Sequence, residues 1–219
     1  MFGKTLNGLP EWQSNPDIFM VNRLPHHADF SRYSNYSDAV KAERWTGERY
    51  FSLNGSWLFY MAENPASIPE GFWKEKADLT GFVPMEVPSH WQLKGFDYPQ
   101  YSNIQYPWEW REDVMPPFAP TQYNPVGCYV KDFDLPKSFE GQRIVISFQG
   151  VESAFYLYVN GEKVGYSENS FCPAEFDITD TLHPGKNTIA VEVYRWSDAS
   201  WLEDQDFWRL SGIFRDVFL

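Results

Sequence analysis

The sequence predicts an all-β fold, an antiparallel sandwich or jelly roll preceded by an extended arm. Three observations carry the prediction. About eight short runs rich in aromatic and β-branched residues lie between positions 51 and 219, turn signals separate them, and no helical period is sustained anywhere.

The elements follow in order. Residues 1–50 read as an arm: MFGKTLNGLPEWQSNPDIFMVNRLPHHADFSRY has scattered prolines and polar residues and keeps neither period 2 nor 3.6. Such a segment is expected to extend over the surface of something larger, with a short helical turn at SDAVKAERW (37–45). Residues 51–219 form the domain. FSLNGSWLFYM (51–61) reads as a strand with a turn at Asn54-Gly55. Residues 83–127 carry eight prolines and many rings, which leaves little room for a ladder. A loop longer than about fifteen residues in a compact domain is usually functional or disordered, and so many rings argue against disorder. CYVKDFDLP (128–136) alternates, and RIVISFQG (143–150) reads as a buried strand. AFYLYVNGEKVGYSE (154–168) is a hairpin whose Asn160-Gly161 supplies the positive φ angles of a tight turn. EFDIT, KNTIAVEVYRW (186–196) and IFRDVFL complete the set. The end inside a strand, at FRDVFL, suggests a fragment of a longer protein.

Composition narrows the partners. Rings make up 19 % of 219 residues, and flat apolar faces stack on sugars and on bases. Eighteen Lys+Arg against thirty Asp+Glu give −12, which repels a polyanion, so nucleic acid is excluded and a neutral sugar is not. No stretch approaches the roughly twenty apolar residues of a membrane span. The opening residues lack the basic start and apolar core of a secretory signal, which points to the cytoplasm. Cys128 and Cys172 form no metal-ligand spacing; one disulfide is compatible with the sequence, and reduced thiols suit that compartment better.

Candidate chemistry concentrates in RWSDASWLEDQDFWRLSG (195–212). Glycoside hydrolysis commonly uses two carboxyl groups on opposite sides of the scissile bond. Glu203, Asp204 and Asp206 are near neighbours in sequence, whereas paired acids project from separate elements. Pairing with Arg195, Arg209 and Arg215, or exposure to water, is the expectation for them. Asp198 directly follows a strand, where ligand-binding side chains are often presented. It suits sugar hydroxyls or a hard cation, and equally a turn that bonds its own backbone. Asn103, in PQYSNIQYPW, suits hydroxyl recognition and equally an Asx-turn. His26, His27, His90 and His183 show no zinc spacing, and no nucleophile elbow or phosphate loop occurs.

Five segments, in order, go further: SLNGSWLFYMAENPASIPEGF, VPSHWQLKGFDYPQYSNIQYPW, PPFAPTQYNPVGCY, GVESAFYLYVNGEKVGYSENSFCPAEFDIT and RWSDASWLEDQDFWRLSGIFRDVFL. Over roughly residues 10–219 the chain resembles the amino-terminal region of the large bacterial β-galactosidases of glycoside hydrolase family two. The resemblance implies a jelly-roll, galactose-binding-domain-like sugar-binding domain, followed in a full enzyme by immunoglobulin-like domains and a TIM barrel. The catalytic glutamates and the magnesium site lie in that barrel, so no catalytic residue is assigned here. By the same resemblance Asn103 hydrogen-bonds galactose hydroxyls, and Asp198 contacts the sugar and ligates sodium in a site completed elsewhere. The LEDQD acids are then structural, knitting their loop to Arg209 and Arg215. The implied partners are a galactoside, the remaining domains of the parent chain and further copies in a homo-oligomer that the arm supports. β-Glucuronidases and β-mannosidases share this domain type; the WSDxSxLEDQDxW stretch and the NxxYP loop favour a galactosidase. A free-standing lectin-like module and a purely structural assembly domain are the alternatives.

Overall fold

The computed structural model describes residues 8–28, 30–43 and 47–219. Fourteen strands occur among them. They are β1 (Met20–Val21), β2 (Gly55–Ala62), β3 (Val83–Val87), β4 (Gln100–Ser102), β5 (Val126–Asp134), β6 (Val145–Phe148) and β7 (Val151–Glu152). Then follow β8 (Ala154–Val159), β9 (Glu162–Ser167), β10 (Ala174–Asp177), β11 (Lys186–Tyr194), β12 (Phe207–Arg209), β13 (Gly212–Ile213) and β14 (Val217–Phe218). An antiparallel seven-stranded sheet has the order β1-β9-β8-β11-β5-β2-β3, and β10-β6-β14 forms a second sheet. β12–β4 and β13–β7 are two-stranded ladders at the rim.

The core lies between the two larger sheets. Trp57, Phe59, Tyr129, Phe155, Leu157, Ile189, Val191 and Val193 of the first meet Ile146, Phe148, Phe176 and Val217 of the second. Period-2 alternation puts these residues on one face of their strands. The second face of the large sheet is buried as well, through Val126, Cys128, Val130, Ala154, Tyr156, Tyr158, Ala190 and Tyr194. Trp12, Phe72 and Trp73 cover that face. This is why β8 is buried at all six positions and β5 at its first five, where the sequence alone reads as simple alternation.

The arm supplies part of the cover. Its helical turn α1 (Glu11–Ser14) places Trp12 on Tyr194 with ring centroids 4.6 Å apart, and β1 pairs with β9. The surface under residues 8–23 is therefore the sandwich's own. The helical turn expected at 37–45 is α2 (Tyr36–Lys41), capped by Asn35, whose side chain accepts from the Asp38 N–H at 3.0 Å. Residues 44 and 45 lie outside the described residues.

Two further expectations change in detail. The run 51–61 is split at Gly55, whose φ of 98° bends the chain. Phe51 and Leu53 then bond to Leu219 and Val217, and β2 begins at Gly55. The proline-rich segment 83–127 does contain ladder. β3 runs along the sheet edge, where Pro84 opposite Leu58 costs no central hydrogen bond, and β4 pairs with β12. Asn160 and Gly161 have φ of 49° and 82°, as the β8–β9 turn requires. Cys128 and Cys172 are free thiols. No helix among the described residues is long and apolar enough to cross a membrane.

Candidate functional site

Asp198 sits where β11 leaves the sheet. The exit is tied to the proline-rich segment by a buried asparagine. Asn124 accepts from the Trp196 N–H (2.9 Å) and donates to the carbonyls of Trp196 (2.9 Å) and Pro120 (3.0 Å). The next turn, Asp198–Trp201, is closed by a reciprocal Ser197/Ser200 capping arrangement. Asp198 is 3 % exposed, and neither carboxylate oxygen has a hydrogen bond of normal geometry. The two serines close the turn, and the amides of Asp198 and Ala199 also act on the carboxylate.

The surroundings of Asp198 are acidic. Glu168, at the end of β9, is buried beside it and accepts a hydrogen bond from the Tyr166 hydroxyl. Burial pushes Asp198 up to about 6, and nearby Glu168 and the amides of Asn15 and Ala199 pull it back without closing a normal hydrogen bond. Burial, and then the Asp198 charge, push Glu168 up to about 9. The amide oxygen of Asn15, in a residue 2 % exposed, also lacks a partner. The two buried oxygens of Asp198, with the Glu168 carboxyl beside them, form a site that favours a proton or a cation. Neither Asn15 nor Glu168 was singled out by the sequence. Asn15 lies in an aperiodic arm and offers no signal, whereas Glu168 carries one, a carboxylate that ends a fully buried strand stretch.

Asn103 occupies a different level. It follows β4 and is exposed, and no hydrogen bond links it to Asp198 among the described residues. The two loops are nevertheless packed together. Tyr106 and Trp108 of the Asn103 loop meet Trp201 and Trp196 of the Asp198 loop, with centroid separations of 4.3 Å for Tyr106–Trp201, 4.9 Å for Trp108–Trp201 and 5.4 Å for Trp108–Trp196. The start of the Asn103 loop is fixed by an ion pair between Asp97 and Arg195, whose side chains are 7 % and 0 % exposed. Arg195 also lies 4.9 Å from the Trp196 ring centroid. Asn103 is therefore exposed and Asp198 buried, on loops that share one aromatic wall.

The LEDQD carboxylates have separate structural bonds. Glu203 accepts from the Ser170 N–H (2.9 Å) and hydroxyl (2.6 Å), Asp204 pairs with Arg209, and Asp206 accepts from the Tyr101 hydroxyl (2.5 Å). The expected pairing with Arg195 and Arg215 is corrected. Arg195 is committed to Asp97, and Arg215 donates to the carbonyls of Phe171 and Gln149. The physical reason is distance along the rim: Arg209 shares the β12 turn with Asp204, while Arg215 lies beyond β13. Glu152, which no local sequence signal marks, lies in this acidic zone. Burial and the Glu203 charge push it up to about 8.

Comparison with known proteins gives these features a context. The profile of the family described as "Glycosyl hydrolases family 2, sugar binding domain" matches residues 50–219. The chain is 58 % identical over 213 residues to a β-galactosidase of Priestia megaterium, covering 97 % of this chain and 21 % of that protein. It is 50 % identical to a β-galactosidase of Clostridium acetobutylicum, covering 95 % and 23 %. It is 44 % identical to a β-galactosidase large subunit of Leuconostoc lactis, covering 94 % and 34 %. The chain thus spans about a fifth to a third of the length of these relatives. Among solved structures, Bacteroides uniformis β-glucuronidase 2 aligns over 77 % of this chain and 17 % of its own, with a TM-score of 0.57 and 21 % identity. A β-glycosidase from Bacteroides vulgatus aligns over 77 % and 20 %, with a TM-score of 0.54 and 23 % identity, and both likenesses concern the fold. A match across the whole sandwich, on a chain whose rim carries the expected loops, shows that this chain belongs to glycosyl hydrolase family 2, as its sugar-binding domain.

Proposed function

We propose that the chain is the amino-terminal sugar-binding part of a retaining β-galactosidase acting on terminal β-galactosides such as lactose, and that it has no hydrolytic activity alone. Asn103 offers a surface amide that both donates to and accepts from galactose hydroxyls. Asp198 holds a sodium ion and receives the sugar alongside it, with further ligands and the two catalytic glutamates contributed by other parts of a longer chain. The observation that carries this reading is the buried Asp198 carboxylate, neither of whose oxygens closes a normal hydrogen bond, with the Glu168 carboxyl beside it. Such oxygens cost free energy unless a proton or cation meets them, and hard oxygen donors fit sodium. Sodium supplies positive charge there. Asp198 contributes its two oxygens, and the Ser197/Ser200 closure holds the turn in shape. Magnesium belongs, in this reading, to the barrel. The described residues of this chain include no group of three or more His, Cys, Asp or Glu arranged to hold a metal ion. The arm supports assembly into a homo-oligomer in the cytoplasm.

The test is a melting comparison of the 219-residue protein in sodium and in potassium chloride at equal ionic strength, joined to an NMR titration with galactose. A ligand that binds only the folded state raises stability by RT ln(1 + [L]/Kd). Sodium should raise Tm above the potassium value, and Asp198→Asn should remove that difference. Galactose alone should bind no more tightly than roughly 10 mM, as expected of part of a site. Equal melting in the two salts would remove the sodium role. Sub-millimolar galactose binding at Asn103 and Asp198 would make the chain a lectin in its own right.

A further inference from the structure

The rim ladder β4–β12 carries a feature that Asp198 does not use and that Asn103 borders, its side chain acting on the Tyr101 hydroxyl. Tyr101 and Trp208 are direct cross-strand partners, so they share one face, while their neighbours Gln100, Ser102, Phe207 and Arg209 alternate to the other. The inward face is occupied: Arg209 is 4 % exposed and paired with Asp204, and Gln100 donates to the Pro107 carbonyl at 2.7 Å. The outward face is not. Tyr101 is 52 % and Trp208 58 % exposed, with ring centroids 5.7 Å apart and planes inclined by 52°. Two large rings thus form an open notch on a ladder whose other side is pinned.

The edges of the notch are polar. Asp206 accepts from the Tyr101 hydroxyl at 2.5 Å, which fixes the tilt of that ring, and Asn103 begins the loop two residues beyond Tyr101. The centre of a protein–protein interface is typically depleted of charge. A saccharide needs the opposite arrangement, a flat apolar surface for its C–H face with hydrogen-bonding groups at the ring's edge. The acidic rim and the net charge of −12 select a neutral sugar over a uronate.

We propose that Tyr101 and Trp208 form a saccharide subsite, bordered by Asp206, that binds a neutral pyranose of a β-galactoside chain beyond the galactose met by Asn103. The subsite rests on the reading of Asn103 as a sugar contact for its position in the chain of sugars, and not for its own chemistry. It makes the domain a reader of chain length: a single galactose reaches Asn103 only, whereas an oligosaccharide reaches both.

The experiment is calorimetry and NMR on the 219-residue protein with galactose and with a β-1,4-linked galactotetraose, following the assigned indole N–H of Trp208. The tetraose should bind at least about tenfold more tightly than galactose, a difference of about 1.4 kcal/mol, and should shift that resonance saturably. Trp208→Ala should bring the tetraose down to the galactose value, with near-UV circular dichroism checking that the sandwich is intact. Trp208→Phe should keep part of the gain. Tyr101→Phe, which keeps the ring but releases it from Asp206, should lose part. Equal affinities for the two sugars, or a Trp208→Ala protein that binds the tetraose normally, would overturn the subsite. So would self-association that Trp208→Ala abolishes while neither sugar moves the indole signal, because the notch would then dock a second copy. Asn103→Ala separates the two readings. Tetraose binding that survives it, with Trp208 still shifting, upholds the subsite and removes Asn103 as the contact. Binding lost in Asn103→Ala but kept in Trp208→Ala does the reverse.

Discussion

The Asp97–Arg195 pair allows a test of how the two rim loops are held. Arg195 has a fully buried side chain, and burial pushes its guanidinium down to about 9 even with Asp97 beside it. Its charge is therefore costly, and Asp97 is the carboxylate that compensates it. Asp97→Asn is the informative change, because residue 97 has φ 58° and asparagine tolerates that region as well as aspartate does. The rings of Tyr98, Tyr123 and Trp196 remain within 5.8 Å of the guanidinium carbon and retain some stabilisation. Breaking a buried pair by removing one partner costs about 3–5 kcal/mol, and the surviving rings and amide oxygen place this case near the lower end, about 3 kcal/mol. In urea unfolding that is a midpoint lower by about 1 M, for a slope near 3 kcal/mol per M. Arg195→Met strands the carboxylate instead. The Asp97 pKa is then raised in the folded protein, so the deficit is largest above that raised value and shrinks as pH falls toward the unfolded value of about 3.9. The Asp97→Asn deficit does not shrink in this way. The double variant, with both charges gone, should be more stable than Asp97→Asn alone. A loss under about 1 kcal/mol for Asp97→Asn, or a double variant worse than both single ones, would refute the account.

Three other outcomes follow from specific contacts. Gly127→Ala would put a Cβ 2.7 Å from Trp91 Cζ3 and 2.9 Å from Phe59 Cε2, and overpacking of this kind costs about 1–3 kcal/mol, so Tm should fall by about 3–10 °C. An unchanged Tm would mean that Trp91 shifts freely. Asn124→Ala leaves the Trp196 N–H and the carbonyls of Trp196 and Pro120 without their side-chain partner; the loss should be at least about 2 kcal/mol. Amide exchange should rise first in 196–202, and uniform exchange would speak against Asn124 as the local tie. Glu152 is pushed up to about 8. The folded state keeps the proton that the unfolded state releases near the ordinary carboxylate pKa, so this stability is present at low pH and is lost as pH rises through about 8. Glu152→Gln should flatten the fall of the urea midpoint between pH 5 and 8, and an unaltered slope would place the titration elsewhere.

The all-β class, the Asn160-Gly161 hairpin and the strands at 143–150 and 186–196 were legible because their information is local: period 2, β-branched residues and turn chemistry. The double burial of β5 and β8 was not. It depends on Trp12, Phe72 and Trp73 arriving from elsewhere in the chain, and strand periodicity carries no trace of a cover that comes from a distant segment. The same limit applies to β3 and β4. Proline-rich sequence argues against strand in a sheet interior, but Pro84 lies on an edge, and edge status is a property of the assembled sheet. At the rim, the sequence identifies Asp198 as exposed to choice between a turn and a ligand. Only the fold shows that Ser197 and Ser200 close the turn and that the carboxylate is buried beside Glu168 without a hydrogen bond of normal geometry. The acidic cluster is illegible for a related reason: Asn15, Glu168 and Asp198 come from three segments, and nothing local marks them as neighbours.

The distribution of buried charge then has a common logic. The sandwich core between the sheets is built almost wholly of apolar side chains, whose burial supplies its stability. Buried charge lies outside that core: Glu11 and Glu192 on the second face of the large sheet, Arg23 against Ser167 and Glu168, and Asp97–Arg195, Asp204–Arg209 and Glu168–Asp198 near the two loops. Replacing such groups by apolar residues would generally make a protein no less stable. What apolar packing does not supply is direction. The Asp97–Arg195 pair fixes where the loop bearing Asn103 leaves the sheet, and the Asp204–Arg209 pair occupies the inward face of β12, so that Trp208 has only the outward side. The charges thus set the orientation of the rim, and the aromatic wall of Tyr106, Trp108, Trp196 and Trp201 packs the two loops against each other. A ligand that touches either loop therefore meets a surface already ordered by the other, which lowers the ordering cost of binding.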